Sequence, residues 1–362
     1  MRIRRSFAAL SAALLATGAV LAGPALTQSA GAAPPTASYS WEITPTGSTD
    51  QFRGLAAVSR DVAWVSGESG TVLRTTDGGA TWQDVSPPAA PGLALRDIEA
   101  FDAQRASVLS IGTGEDSRIY TTTDGGATWT EAFRNTDPAA FYDCMAFRPN
   151  GDGLAMSDPV DGYFQIARTT DYGQSWTVLG NEGMPEALPG EFGFAASGTC
   201  IISGVGQRYW FATGGVETPR IFASRDGGDT WSVMETPLRG GPSAGIYSVD
   251  FRDARRGVVV GGDFLEPDNG ADASAYTTDG GTTWTVSDEP VDGYRSGVSF
   301  IRGTARTVIA VGPTGSDVSF DSGNTWTHFD DDWYDGIQCA RDGACWASGT
   351  DGRVAVLVSQ KA

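Results

Sequence analysis

The sequence predicts an all-β fold: a seven-bladed β-propeller of four-stranded antiparallel blades, its ring closed by an N-terminal strand that joins the C-terminal blade. Three observations predict it. An eight-residue pattern, [ST]-x-Asp-x-Gly-x-[ST]-Trp, occurs six times. Its tryptophans, Trp82, Trp129, Trp176, Trp231, Trp284 and Trp326, lie 47, 47, 55, 53 and 42 residues apart, a period that suits one blade. Strand-like segments left over at the two ends make one further blade between them.

Within the first repeat, residues 55–58 read as strand a and 62–65 as strand b. A Gly-Glu-Ser-Gly turn leads into strand c at 71–74, and the motif forms the c–d turn, with Trp82 opening outer strand d. Short β-prone runs separated by turn residues indicate antiparallel structure throughout. The motif aspartates, Asp77, Asp124, Asp171, Asp226, Asp279 and Asp321, read as structural. An aspartate accepts backbone N–H groups inside its own turn, and glycine adopts positive φ without steric cost. The indole then seals apolar surface beneath the hairpin. After the sixth motif, residues 336–339, 345–348 and 353–358 supply three strands and no motif. Residues 39–43 complete that blade as its fourth strand, leaving no open edge.

At the N-terminus, Met1-Arg-Ile-Arg-Arg5 precedes an apolar run from Phe7 to Ala22 and an Ala30-Gly31-Ala32 site. This is the layout of a signal peptide over residues 1–32, followed by a short linker at 33–38 and a single propeller domain at 39–362. Arg4-Arg5-x-Phe7 also fits a twin-arginine signal, so either export route is open. No second apolar segment has spanning length, and the mature chain is expected to be secreted, extracytoplasmic and monomeric. The formal charge is −19, and loss of the three leader arginines takes it to −22. Such a field disfavours nucleic acid. One lysine, Lys361, and one histidine, His328, leave little room for Schiff-base chemistry, a His-centred triad or a His-rich metal site. No metal or cofactor is expected, beyond at most weak calcium affinity at Asp330-Asp-Asp332. His328, just past a motif on an outer strand, reads as plain surface.

Four cysteines in an exported chain indicate disulfides. Cys339 and Cys345 flank a hairpin turn and pair locally; Cys144 and Cys200 pair by elimination.

Six motifs of this form resemble the BNR/Asp-box propellers, which include sialidases, certain glycoside hydrolases and the seven-bladed photosystem II assembly factors. The resemblance covers roughly residues 39 to 359. Beyond the motifs, the segments Phe141-Tyr-Asp-Cys-Met-Ala-Phe147, Ser157-Asp-Pro-Val-Asp-Gly162, Phe194-Ala-Ala-Ser-Gly-Thr-Cys200 and Gly261-Gly-Asp263 look like a group of secreted bacterial WD40/YVTN/BNR-like proteins. Some of that group are labelled glycosyl hydrolase or oxidoreductase. The Arg-Ile-Pro motif of sialidases is absent, with only Arg118-Ile-Tyr120 and Arg220-Ile-Phe222 near it. The basic patch of the assembly factors has no obvious counterpart in so acidic a chain.

If the motifs are c–d turns, they share one face with the a–b turns, and the b–c and d–a loops share the other. The irregular sequence falls on that second face. Ligand-binding candidates there are Asp143, Asp158, Asp161, Glu191, Asp263, Tyr294, Arg295, Asp317 and Asp335, a convergence of carboxylates, aromatics and an arginine. Asp158, Asp263 and Glu191 are the catalytic candidates, because carboxylates across a cavity suit glycoside cleavage; as structural residues they would cap loops. Three functions compete. The first is a non-catalytic binding or assembly propeller for a protein or glycan. The second is a glycoside hydrolase or lyase, and the third an oxidoreductase, for which no cofactor motif is present.

Overall fold

The computed structural model describes residues 38–360; the expected signal peptide lies outside the described residues. Seven sheets, each of four antiparallel strands, follow one another around a ring. Blade 1 consists of strands a to d at Phe52–Ala57, Ala63–Gly67, Val72–Thr75 and Gln83–Asp84. The inner strand starts three residues before the expected one because it carries a bulge. Phe52 pairs with Gly67 and Gly54 with Ser66, leaving Arg53 unopposed. The same shift falls at Arg96 in blade 2, Asp143 in blade 3 and Tyr247 in blade 5. A bulge re-aims the extra residue; in blades 1 to 3 it is the second residue of the inner strand, and in blade 5, whose strand Ala244–Phe251 begins earlier, the fourth.

The ring closes as the sequence predicts. Ser38–Ile43 pairs antiparallel with Val354–Gln360, from Ser38 opposite Gln360 to Ile43 opposite Ala355. With Cys345–Ser348 and Gly336–Cys339 it makes the seventh sheet.

Between neighbouring blades lie seven apolar seams, and each holds one tryptophan at the outer strand. Trp82 meets Trp346 edge-on across the seam of blades 7 and 1, with centroids 6.0 Å apart. Trp129 meets Trp64 between blades 1 and 2, and Trp176, Trp231, Trp284 and Trp326 fill the next four. The last seam has no motif to draw on. Trp41, from the N-terminal strand, takes the place, packing on Tyr334 and Phe329 and donating its Nε1–H to Ser316 Oγ at 3.0 Å.

Each motif turn is built alike. In the first, Asp77 Oδ1 accepts from Thr81 N (2.9 Å) and Oδ2 from Thr81 Oγ1 (2.7 Å), while Gly79 N donates to Thr75 Oγ1. These donors hold the carboxyl below its ordinary range. The residue after the aspartate also has positive φ, including Tyr172 (63°) and Ser322 (71°). Its N–H donates to the a–b turn of its own blade: Gly78 to Asp61 O, Tyr172 to Gly151 O, Ser322 to Arg306 O. The motif turns and the a–b turns are thereby tied together on one face.

Candidate functional site at the propeller axis

The bulges bring Arg53 of blade 1 and Arg96 of blade 2 to the axis on the loop face, and neither is among the sequence candidates. Arg53 donates through Nε to Glu68 Oε1 (2.6 Å) and lies 3.3 Å from Asp335 Oδ1. Arg96 Nη2 is 2.9 Å from the same Glu68 oxygen. Asp335 also accepts from Gln51 Nε2 (2.7 Å) and Trp333 Nε1 (3.1 Å). Only the strand bulge, a matter of register, aims the two arginines inward, so their sequence context gave no signal.

Residues 193–199, the end of the long connection from blade 3 to blade 4, cross this opening. Arg53 Nη1 donates to Ala196 O and Arg96 Nη1 to Ala195 O. Ser197 Oγ donates to Ser296 O of blade 6 at 2.7 Å, and Thr199 Oγ1 is hydrogen-bonded to Ser248 Oγ of blade 5. Phe194 stacks on Tyr247 with centroids 3.8 Å apart, and Tyr294 packs edge-on to Tyr247. One short segment that touches blades 1, 2, 5 and 6 can only lie on the axis. Its far end is pinned by the Cys144–Cys200 disulfide, which links the inner strand of blade 3 to blade 4. The second predicted disulfide, Cys339–Cys345, is also formed, across the a–b turn of blade 7.

The sequence candidates are distributed around this plug, and several are engaged in internal contacts. Glu191 is buried against Arg220, with Thr213 Oγ1 and Leu188 N also donating to its carboxylate. Arg295, a ligand-binding candidate in the sequence, is fully buried. Its Nε donates to Asp317 Oδ2 at 2.6 Å and the rest of its guanidinium to Tyr294 O, Thr314 Oγ1 and Asp292 O. Asp161 is an exposed turn residue with φ 52°. Asp263 accepts from Leu265 N within its own loop and faces Arg239 at 3.8 Å. Asp158 and Asp263 share no partner. Asp158 instead lies against Asp143 and accepts from Gly193 N at 2.8 Å, at the root of the plug. Burial, then the neighbouring Asp158 carboxylate, pushes the Asp143 carboxyl well above its ordinary range, and burial raises Asp158 to about 6. His328 is not plain surface: its Nδ1 is 3.4 Å from Asp317 Oδ1 and its Nε2 2.9 Å from Asp331.

The open space lies at the other mouth. A funnel of about 980 Å³ opens on the motif face, lined by the ends of all seven inner strands, with Gly198 and Thr199 of the plug among its lining. Gly198 has φ 72°, and a Cβ there would collide with the Asp97 carboxylate, so only glycine lets the plug pass so close to blade 2. The walls mix apolar and polar groups, among them Val58, Phe101 and Ile202 beside Asn150, Arg252 and Gln338. Among them sit Glu99, whose carboxyl burial and then Asp97 drive well up, and Asp250, raised by burial. Asp97 accepts from Met145 N, and burial pushes its carboxyl up to about 8. Arginines from the a–b turns stand at the rim and are partly neutralised: Arg105 on Asp102, Arg148 on Asp152, Arg302 on Asp250.

No protein-family model matches the chain, and no curated protein matches it. Solved structures do. YCF48 bound to a D1 peptide shares 16% identity over 88% of this chain and 95% of that chain, with a TM-score of 0.62. YCF48 from Cyanidioschyzon merolae shares 18% over 87% and 98%, with a TM-score of 0.61. The RRP9 WD40 repeats share 10% over 88% and 97%, with a TM-score of 0.62. At these identities the likeness is one of fold.

Proposed function

We propose that this chain is a polypeptide-binding propeller, without chemistry of its own, that receives a short extended segment in the funnel on its motif face. One observation carries the reading: the loop-face mouth is crossed by residues 193–199, whereas the motif-face mouth holds an open cavity of about 980 Å³. That is at the upper end of the size of ligand pockets, and walls that mix apolar and polar groups suit a polypeptide, whose backbone N–H and C=O groups need partners once out of water. A fold neighbour solved with a peptide bound supports the same use of the ring here. The two disulfides are compatible with an extracytoplasmic protein, and we place the mature chain there. No helix among the described residues is long and apolar enough to cross a membrane.

The test is peptide selection from a display library on the full protein, followed by binding to Ala57→Trp and Ala100→Trp. Both alanines line the funnel, are half-buried and flank the seams of blades 7–1 and 1–2, so the indoles obstruct the cavity and the thermal transition reports any cost to the seams. Selected peptides are expected to lose affinity for both variants while the thermal transition is kept. Peptides that bind the variants as tightly as the parent, or that cross-link to the loop face, would overturn the proposal.

A further inference from the structure

Beside the funnel, on the same face, a crevice of about 260 Å³ runs between blades 4 and 5. Its walls include Arg208 from the a–b turn of blade 4, Arg225 from the motif turn of blade 4 and Arg255 from the a–b turn of blade 5. In a chain with 44 acidic and 25 basic residues, most arginines find a carboxylate, as Arg53 does in Glu68 and Arg295 in Asp317. These three do not. Arg255 Nε reaches only Thr278 O, at 3.2 Å, and neither Arg208 nor Arg225 has an ion-pair partner among the described residues. The nearby acids are engaged elsewhere, Asp229 with Arg168 and Asp253 with Arg256.

Asp279 is the carboxylate in the wall. Its oxygens accept from Thr283 N (3.0 Å), Thr283 Oγ1 (2.7 Å), Thr277 Oγ1 (2.8 Å) and Thr282 N (2.9 Å). Although burial opposes it, these donors lower the carboxyl to about 2. It is held ionised within its own turn and makes no ion pair with the three arginines among the described residues, so the crevice keeps a positive balance. Three like charges around one small space repel each other, and guanidinium forks are shaped to hold a planar or tetrahedral oxyanion.

We infer that the blade 4–5 crevice is a binding site for one compact oxyanion, a carboxylate, sulfate or phosphate group, held by Arg208, Arg225 and Arg255. The overall negative charge selects against polyanions, so the group is a single one on an otherwise neutral ligand. Arg252 and Asp253 line the funnel, and Ala254 and Arg255 line the crevice. The two spaces therefore adjoin along one turn, and an acidic side chain of a segment held in the funnel is one natural source of the group. The inference rests on the funnel proposal only for that source.

Titration calorimetry with sodium sulfate, inorganic phosphate, and a short Glu-containing peptide with its Gln counterpart separates the sources, at constant ionic strength. The variants are Arg208→Gln/Arg225→Gln and, as a charge control on the same face, Arg306→Gln. Among the described residues Arg208 and Arg225 contribute no side-chain hydrogen bond to the fold, so the double variant should fold as the parent does. At least one oxyanion is expected to bind the parent, with affinity falling about tenfold or more in the double variant and unchanged in the control. Saturable binding of sulfate or phosphate alone assigns the site to a free or ester-linked anion. Preference for the Glu peptide assigns it to a polypeptide. Absence of binding by all three, or equal affinity in parent and double variant, overturns the inference. Ala100→Trp tells the two proposals apart: oxyanion binding that survives this substitution supports the crevice whatever happens at the funnel.

Discussion

Positive φ at two successive residues is the local feature on which every motif turn depends. At the second, the pattern always has glycine. At the first, Ser322 and Tyr172 occupy the left-handed region with a Cβ. Tyr172 is compensated by packing on Phe101 (4.9 Å between centroids) and beneath Arg105. Ser322 has no such return: it is buried, and its Oγ has no hydrogen-bond partner among the described residues. Ser322→Gly is therefore expected to stabilise the protein by about 1 kcal/mol, from relieved backbone strain and a removed unsatisfied hydroxyl. Chemical denaturation checks it, and a lower midpoint for the variant would show that the hydroxyl has a role the strain argument omits.

At the scale of strands, the six motif blades were legible because their turn chemistry is complete within eight residues. The seventh blade was legible only by closure, and the seam tryptophan shows why the closure holds. Trp41 comes from the opposite end of the chain, yet it fills the position that Trp82 to Trp326 fill elsewhere. Trp41→Ala should cost about 3 kcal/mol, as loss of a large aromatic from a packed seam does, and loosen the pairing of Ser38–Ile43. Hydrogen exchange would report it as faster exchange confined to residues 38–43 and 354–360; unchanged protection there would refute the assignment. The plug and the inward arginines escaped the sequence for a different reason. Phe194-Ala-Ala-Ser-Gly is a run of mostly small residues with no charge to mark it, and its partners, two arginines and a backbone oxygen, lie 99 to 143 residues away. The sequence places irregular loops around an open mouth, whereas one of them crosses it. The same limit applies to Glu191 and Arg295: their types suggested a ligand, while their partners, Arg220 and Asp317, are set by tertiary contacts.

The whole molecule carries two opposed sets of carboxyls, and its pH dependence follows from both. The motif aspartates are held below their ordinary range. Their contribution is present above about pH 4 and is lost as the pH falls toward 2. Asp97, Glu99, Asp143, Asp158 and Asp250 are raised by burial. Their protonated forms favour the native state below about pH 4, and that contribution is lost as the pH rises through about 6 for Asp158 and about 8 for Asp97. The melting temperature should thus peak near pH 4 to 5 and decline toward pH 8. Asp97→Asn, which keeps an acceptor for Met145 N, should flatten the upper limb; calorimetry across this range decides, and a melting temperature that climbs between pH 5 and 8 would contradict the burial argument.

The pairing of residues 38–43 with 354–360 also orders events in time. During synthesis the first strand of the ring emerges with nothing to pair with, and it waits while nearly the entire domain is made. Until then two sheet edges stay unsatisfied, which is the condition that invites intermolecular pairing. Contacts of such long range make slow folding the rule. A chain interrupted late in translation would hold six finished blades and still be an aggregation hazard.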